Sequence, residues 1–265
     1  MRLLLALFAR WIAASLLALT PCVAVVAAAP KNPLPVGFVY LRDVAPTIRQ
    51  DIRYAGPHNF IGRAIDGYGA AECVLTVQAA RALARVQNAL ALSGLALIVW
   101  DCYRPARAVA DFLRWTGDPD SRMKVEFYPE TEKNKLVALG YIAARSTHSR
   151  GSTVDLGLVP ASLAALPPWT GDGPLTPCTA AKGERVEDGT VDLGTGFDCF
   201  DPRAHFTFQD IGAAARANRT LLRDVMMRQG FVPYDGEWWH FRLAREPYPN
   251  RMFDFPIPPR PNGKP

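Results

Sequence analysis

The chain has 265 residues, 49% hydrophobic and 21% charged, enough apolar sequence for one substantial core, and a single domain is expected. Its formal charge of +5 includes Arg2 and Arg10, which fall in an N-terminal segment expected to be removed, leaving 28 basic against 25 acidic residues, a net of +3. No dense Lys/Arg run accompanies that small surplus, which argues against a nucleic-acid partner.

Residues 1–29 read as an export signal. Arg2 supplies a short basic start, an apolar stretch resumes from Trp11 to Val26, and Ala27-Ala28-Ala29 offers small residues for cleavage. A mature domain over 30–265 in the periplasm or outside the cell is the expectation. Arg10 interrupts the first apolar run, and the remaining stretch is just long enough to span a bilayer, so an uncleaved anchor is the alternative and the one route to a membrane. Leu19-Thr20-Pro21-Cys22 half-resembles a lipoprotein cleavage box, but proline directly before the cysteine fits it poorly. Cleavage removes Cys22 and leaves Cys73, Cys102, Cys178 and Cys199, an even number in a compartment where disulfides persist. Four cysteines allow three connectivities. Pairing Cys73 with Cys102 and Cys178 with Cys199 is preferred because each pair flanks one continuous segment.

Gly37 to Leu41 and Ile48 to Tyr54 read as short strands. Asn59-Phe60-Ile61-Gly62 and Asp66-Gly67-Tyr68-Gly69 form turn clusters with exposed aromatics, a composition that often lines a pocket. Thr76 opens a helix in which Val77, Ala80, Leu83, Ala84, Val86 and Leu90 keep the helical period and Gly94 supplies the stop. Leu95 to Trp100 is a continuous apolar run, read as a buried strand that delivers Asp101-Cys102-Tyr103-Arg104-Pro105 to its end. Pro105 suits the first turn of a helix with Ala108, Val109, Phe112, Leu113 and Trp115 on its apolar side. Arg104 thus stands at a strand-to-helix junction, where position alone does not separate a pocket arginine from a salt-bridged surface one. A helix is expected within Pro129 to Arg145, then a strand from Val154 to Val159. Pro167 to Thr190 reads as a long irregular loop held by Cys178. Gln209 to Gln229 reads as helix, with Asn218 capping its second half and Gly230 at the stop. Phe231 to Leu243 returns as strand material, and a proline-rich tail from Pro247 is expected to wrap the surface.

Ser146-Thr147-His148-Ser149-Arg150-Gly151-Ser152-Thr153-Val154-Asp155 places a histidine seven residues before a carboxylate, and Glu237-Trp238-Trp239-His240 adds a second histidine with a carboxylate three positions before it. Zinc takes imidazole nitrogen and carboxylate oxygen, and a catalytic site keeps three protein ligands and one open position. Neither spacing is specific by itself. In a regular strand Glu237 and His240 point to opposite faces, so sharing one site requires a bulge or bend, which Gly236 could permit. His58 and His205 have no assigned role and read as satisfied loop or core histidines.

Taken together, Ser146 to Asp155, Glu237-Trp238-Trp239-His240-Phe241 and Asp101-Cys102-Tyr103-Arg104-Pro105 resemble the D-alanyl-D-alanine dipeptidases, the VanX-type branch of the zinc D,D-peptidases. Asn59-Phe60, Gly67-Tyr68 and Gly194-Thr195-Gly196-Phe197-Asp198 fall in the family's order, so the resemblance covers most of the mature chain. It implies a single α+β zinc-peptidase domain of the D,D-peptidase/hedgehog type, a small antiparallel sheet flanked by helices, one zinc ion per chain and a narrow pocket for D-Ala-D-Ala or a related dipeptide. It further implies His148, Asp155 and His240 as zinc ligands, Glu237 as catalytic base and Arg104 as stabiliser of developing negative charge. Asp198 falls at the anchor for the substrate ammonium group and Ser146 where a serine lines the pocket. Cys102 stands where the family usually has glycine, and Gly196 replaces an expected proline. Both departures bear on pocket shape.

The chemistry suits these residue types: metal-activated water, a carboxylate to move the proton and a fixed cation for the oxyanion. Two other classes are weighed against a dipeptidase. A carboxypeptidase or endopeptidase on intact peptidoglycan stems would need an open groove in place of an ammonium anchor, and a catalytically silent wall-peptide-binding module would have no use for Glu237.

Overall fold

Two nearly continuous apolar stretches, Leu95–Asp101 and Thr153–Pro160, lie side by side and antiparallel, each buried along almost its whole length. A strand covered on both faces has no polar side to alternate with, which is why neither run shows a two-residue period. The computed structural model describes residues 34–261. The expected export segment 1–29, with Cys22, lies outside the described residues.

In chain order the elements are β1 (Phe38–Tyr40), α1 (Leu41–Val44), β2 (Arg49–Gln50), β3 (Val74–Thr76), α2 (Val77–Ala91), β4 (Leu95–Asp101), α3 (Ala106–Thr116), α4 (Lys124–Phe127), β5 (Thr153–Pro160), α5 (Ala213–Arg228), β6 (Phe231–Tyr234) and β7 (Glu237–Leu243), with 3₁₀ turns between them. The main sheet has the order β2-β4-β5-β7-β6, and β1 pairs with β3 in a separate two-stranded sheet. The fold is α+β, as expected. The sheet is antiparallel except at one edge, where β2 runs parallel to β4.

Helix α2 begins where Thr76 accepts a hydrogen bond from the Ala79 amide, and it buries Ala80, Leu83, Val86 and Leu90. Helix α3 follows Pro105 and buries Ala108, Val109, Phe112 and Trp115. Among the described residues no helix is long and apolar enough to cross a membrane.

Several expectations give way. The second strand shrinks to Arg49–Gln50 and yields to a 3₁₀ turn at Arg53–Ala55. Phe60, Ile61 and Tyr68 are buried and not exposed, although Phe60 does line the pocket as the loop's composition suggests. The helix expected within 129–145 is absent, with only a 3₁₀ turn at Lys133–Lys135. Of the apolar residues Leu136, Val137 and Leu139 in that stretch, only Leu136 packs inward, so no face exists to stabilise a helix. Asn218 caps nothing: it sits inside α5 and its side-chain amide donates to the Asp192 carbonyl. The tail is structural as well as superficial. Phe253 and Ile257 are buried, the Phe253 amide donates to the Ser149 carbonyl at 2.8 Å and its carbonyl accepts from Ala106 at 3.0 Å.

Both disulfides form with the preferred local pairing, Cys73–Cys102 and Cys178–Cys199, with Cα separations of 5.3 and 5.6 Å. The second closes a segment of 21 residues that is otherwise irregular. Restricting the unfolded chain over such a loop stabilises the fold by about 3 kcal/mol on the chain-entropy account. The double variant Cys178→Ala/Cys199→Ala is therefore expected to lose roughly that amount in a denaturant titration of the oxidised protein; an unchanged midpoint would show that packing alone holds the loop.

Candidate active site

His148 enters the pocket from a 3₁₀ turn, Thr147–Arg150, whose start is capped by Ser146: the serine Oγ accepts from the His148 amide at 3.3 Å. Gly151 ends the turn at φ +79°, a left-handed conformation that any other residue would hold under strain, and turns the chain into β5. Within His148, Nδ1 lies 2.7 Å from the Cys102 carbonyl oxygen. A carbonyl only accepts, so Nδ1 carries the proton and the Nε2 lone pair is left for the pocket.

Asp155 on β5 and His240 on β7 are direct cross-strand partners. The problem of the alternating strand faces is solved by a bulge. While β6 advances one residue, from Pro233 to Tyr234, its partner positions on β7 jump from Phe241 to Glu237. Trp238 and Trp239 both point into the core across that jump, where Trp238 Nε1 donates to Thr195 Oγ1 at 2.8 Å and the Trp239 ring meets Phe197 edge-on. Gly236 contributes by close approach: a Cβ there would lie 2.9 Å from the Tyr234 ring. With the two tryptophans committed inward, Glu237 and His240 share the pocket side, Glu237 Oε2 being 3.5 Å from His240 Nδ1.

Three ligand atoms converge. Asp155 Oδ1 is 3.3 Å from His148 Nε2 and 3.1 Å from His240 Nδ1, and the two nitrogens are 3.3 Å apart. The edge of a tetrahedron with zinc-like bonds of 2.0–2.1 Å is about 3.3–3.4 Å. Asp155 Oδ1 is buried and has no aligned hydrogen-bond donor, so its lone pairs meet the same point as those of the imidazoles. These residues fit a divalent metal bound by two nitrogens and one oxygen, and they are a possible metal site. The far side of His240 is supported as well, with Nε2 3.5 Å from Thr147 Oγ1, which accepts from Thr153 Oγ1 at 3.0 Å.

Arg104 lies where the β4 strand turns into α3. Its Nε donates to Asp101 Oδ2 at 2.9 Å and its Nη2 to Asp155 Oδ2 at 3.4 Å, while its guanidinium carbon sits 5.2 Å from the Tyr54 ring centre and 5.0 Å from that of Phe112. Asp198 is the one non-glycine with positive φ, +56°, among the described residues. It is buried and accepts from the Tyr54 hydroxyl at 2.7 Å. Its neighbour Cys199 is held by the second disulfide.

Carboxyl groups crowd this pocket around one committed guanidinium, and their protonation reflects it. Burial pushes the Asp198 carboxyl well above the usual range, and the Asp155 charge adds to the effect beyond what Tyr54 and Arg104 offset. Burial also carries Glu237 up to about 7, a rise moderated by His240 and Arg104 and reinforced by Asp155. For Asp155 burial acts in the same sense, yet His148 and His240 outweigh it and hold the group ionised. His240 is raised overall, because hydrogen bonding to Asp155 and the nearby carboxylates overcome the burial that opposes its charge.

The pocket has a volume of about 220 Å³ and is lined by all seven residues singled out in the sequence: Arg104, Ser146, His148, Asp155, Asp198, Glu237 and His240. That volume lies below the roughly 300–1,000 Å³ of sites for drug-sized ligands. Sequence reasoning missed Tyr54, which supports Asp198 and Arg104 from a 3₁₀ turn and leaves no local signal. Asp101 was also missed as a partner of Arg104 and of His148 Nδ1, 3.3 Å away, and of the Tyr68 hydroxyl, 2.5 Å away; a carboxylate at the end of a buried strand was its signal. The pocket walls further include Phe60, Tyr141, Arg145, Phe200 and Tyr234. Of the unassigned histidines, His58 is a satisfied core residue, its Nε2 2.7 Å from Glu126 Oε1 and its ring stacked on Trp169 at 4.4 Å.

If a divalent metal binds here, His240 must give up its proton to ligate it, and the imidazole pKa in the metal-free site is raised above the ordinary 6.5. Affinity of the metal-stripped chain for a divalent ion should therefore be full above that raised value and fall as pH drops through it. Calorimetric titration across pH checks this, and a pH-independent affinity between 5 and 8 (about the range over which a histidine titrates) would contradict it.

Residues 35–166 and 182–258 match the peptidase M15 family, described as D-ala-D-ala dipeptidase. The chain is 35% identical over 224 residues to a D-alanyl-D-alanine dipeptidase of Enterococcus faecium, covering 84% of this chain and 98% of that protein. It is 37% identical to one of Enterococcus faecalis, covering 83% of this chain and 98% of that protein. A third, from Streptomyces coelicolor, is 38% identical, with 83% of this chain and 98% of that protein covered. With matches of this extent laid over the site just described, the chain belongs to the M15 family of peptidases.

Proposed function

We propose that the protein is a zinc-dependent dipeptidase that hydrolyses D-Ala-D-Ala, exported to the periplasm or beyond. The observation that carries this reading is the convergence of His148, Asp155 and His240, with Glu237 beside them, in a small pocket that Asp198 also lines. The names of the relatives support the choice of D-Ala-D-Ala, and the two disulfides, with the apolar sequence over 11–26, support export.

His148, Asp155 and His240 would hold one zinc ion per chain. When bound, zinc supplies a Lewis acid and a water activated near neutral pH. Glu237, beside His240 in the pocket, is placed to take the water's proton and pass it to the leaving amine. Arg104 is held protonated by Asp101 and Asp155, and its Nη1 makes no hydrogen bond among the described residues, so it can meet negative charge growing on the scissile carbonyl oxygen. Tyr54 keeps Asp198 in place to receive the substrate's ammonium group, which restores the carboxylate that burial disfavours. Ser146 acts through the turn it caps and borders the bound peptide.

His148→Ala or His240→Ala is expected to empty the site, and full zinc occupancy in both variants by metal analysis would rule out the assignment. Glu237→Gln keeps zinc but should lower kcat by about 10²- to 10⁴-fold, the usual span of general-base catalysis. Acetylating the dipeptide's amine removes a charged hydrogen bond to Asp198, for a loss of about 10- to 100-fold in kcat/KM. Equal turnover of the acetylated and free dipeptides would favour a peptidase of longer stem peptides instead.

A further inference from the structure

The pocket carries many anionic groups and few cations. A zwitterionic dipeptide presents one charge of each sign, and the ammonium has an anchor in Asp198. Its carboxylate needs a cation that is not already committed. Two arginines line the pocket, Arg104 and Arg145. Arg104 is engaged by Asp101 and Asp155 and sits over the Tyr54 and Phe112 rings, on the side of the pocket that holds Asp155. Arg145 is exposed at the pocket mouth and makes no hydrogen bond, ion pair or ring contact with any described residue. It directly precedes Ser146, whose cap fixes the start of the turn that carries His148, so its backbone is tied to the metal-ligand frame while its guanidinium stays free.

We propose that Arg145 binds the free carboxylate of the substrate, so that Asp198 at the buried end and Arg145 at the mouth read the two termini of a dipeptide. A guanidinium presents paired N–H groups that match a carboxylate in two parallel hydrogen bonds. The proposal rests on the dipeptidase reading and deepens it: it explains selection for length through charge at both ends, where a pocket with one anchor would accept any peptide sharing that end. It assigns a specificity role to a residue outside the motifs of the metal site.

The test compares D-Ala-D-Ala with D-alanyl-D-alaninamide, which retains the scissile bond and the ammonium but lacks the carboxylate. The unaltered enzyme should cleave the amide less efficiently by about 10- to 100-fold in kcat/KM. Arg145→Ala should bring the free dipeptide down to that level, chiefly through KM, and leave the amide unchanged; Arg145→Lys should recover part of the loss. Zinc content and the unfolding midpoint should be the same in all three proteins, since the side chain supports nothing else in the fold. Equal losses on both substrates in Arg145→Ala, or full activity of that variant on the free dipeptide, would overturn the proposal. Failure of the dipeptidase reading shows separately, in the unaltered enzyme, as no turnover of the free dipeptide.

Discussion

The structure depends on keeping an ionised carboxylate, Asp155, out of water. It is 2% exposed at the centre of the main sheet, between two imidazoles and an arginine, and one of its oxygens has no aligned donor. A buried charge left uncompensated costs several kcal/mol. The surroundings answer that cost in layers. Arg104 faces Oδ2, the nitrogens of His148 and His240 face Oδ1, and each of these groups is itself held: Arg104 by Asp101, His148 by the Cys102 carbonyl. A divalent metal shared by Oδ1 and the two imidazoles would complete the arrangement, and the three ligand atoms lie close enough together to hold one.

The same concentration of carboxyl groups gives each of them a different state. Asp155 is held ionised, Glu237 is brought to about 7 and Asp198 is pushed above its ordinary range, although all are buried. What separates them is the company each keeps. Two imidazoles face Asp155, one lies near Glu237, and a neutral phenol serves Asp198. Groups of one chemical type thereby reach three different protonation balances within one pocket.

Both disulfides end next to this centre. Cys102 lies between Asp101 and Arg104 and supplies the carbonyl that orients His148, and Cys199 follows Asp198, whose backbone is held in a sparsely populated conformation. The segment that Cys178 anchors spans part of 167–181, the stretch lying between the two regions matched to the family, and Trp169 within it stacks on His58. Cross-links here brace the loops that carry polar groups, where hydrophobic packing is least able to define a single conformation.

By itself the sequence determined the elements whose signal is local and apolar: the two central strands, the α2 and α3 helices with their cap and proline starts, and the glycine-terminated turn before β5. The residues gathered in the pocket were also legible, through the resemblance of the motifs around His148, Glu237 and Arg104 to a known family. The helix expected within 129–145 was not decided locally, because a weak apolar period forms a helix only when a neighbour covers its face, and here Val137 and Leu139 remain in solvent. Asn218 likewise looked like a cap until the Asp192 carbonyl took its amide. Only the tertiary structure decided that Glu237 and His240 share a side, because that depends on where Trp238 and Trp239 find room in the core. Tyr54 joins the pocket for the same reason: its hydrogen bond to Asp198 links segments 144 residues apart, and no spacing along one segment encodes the distance between two.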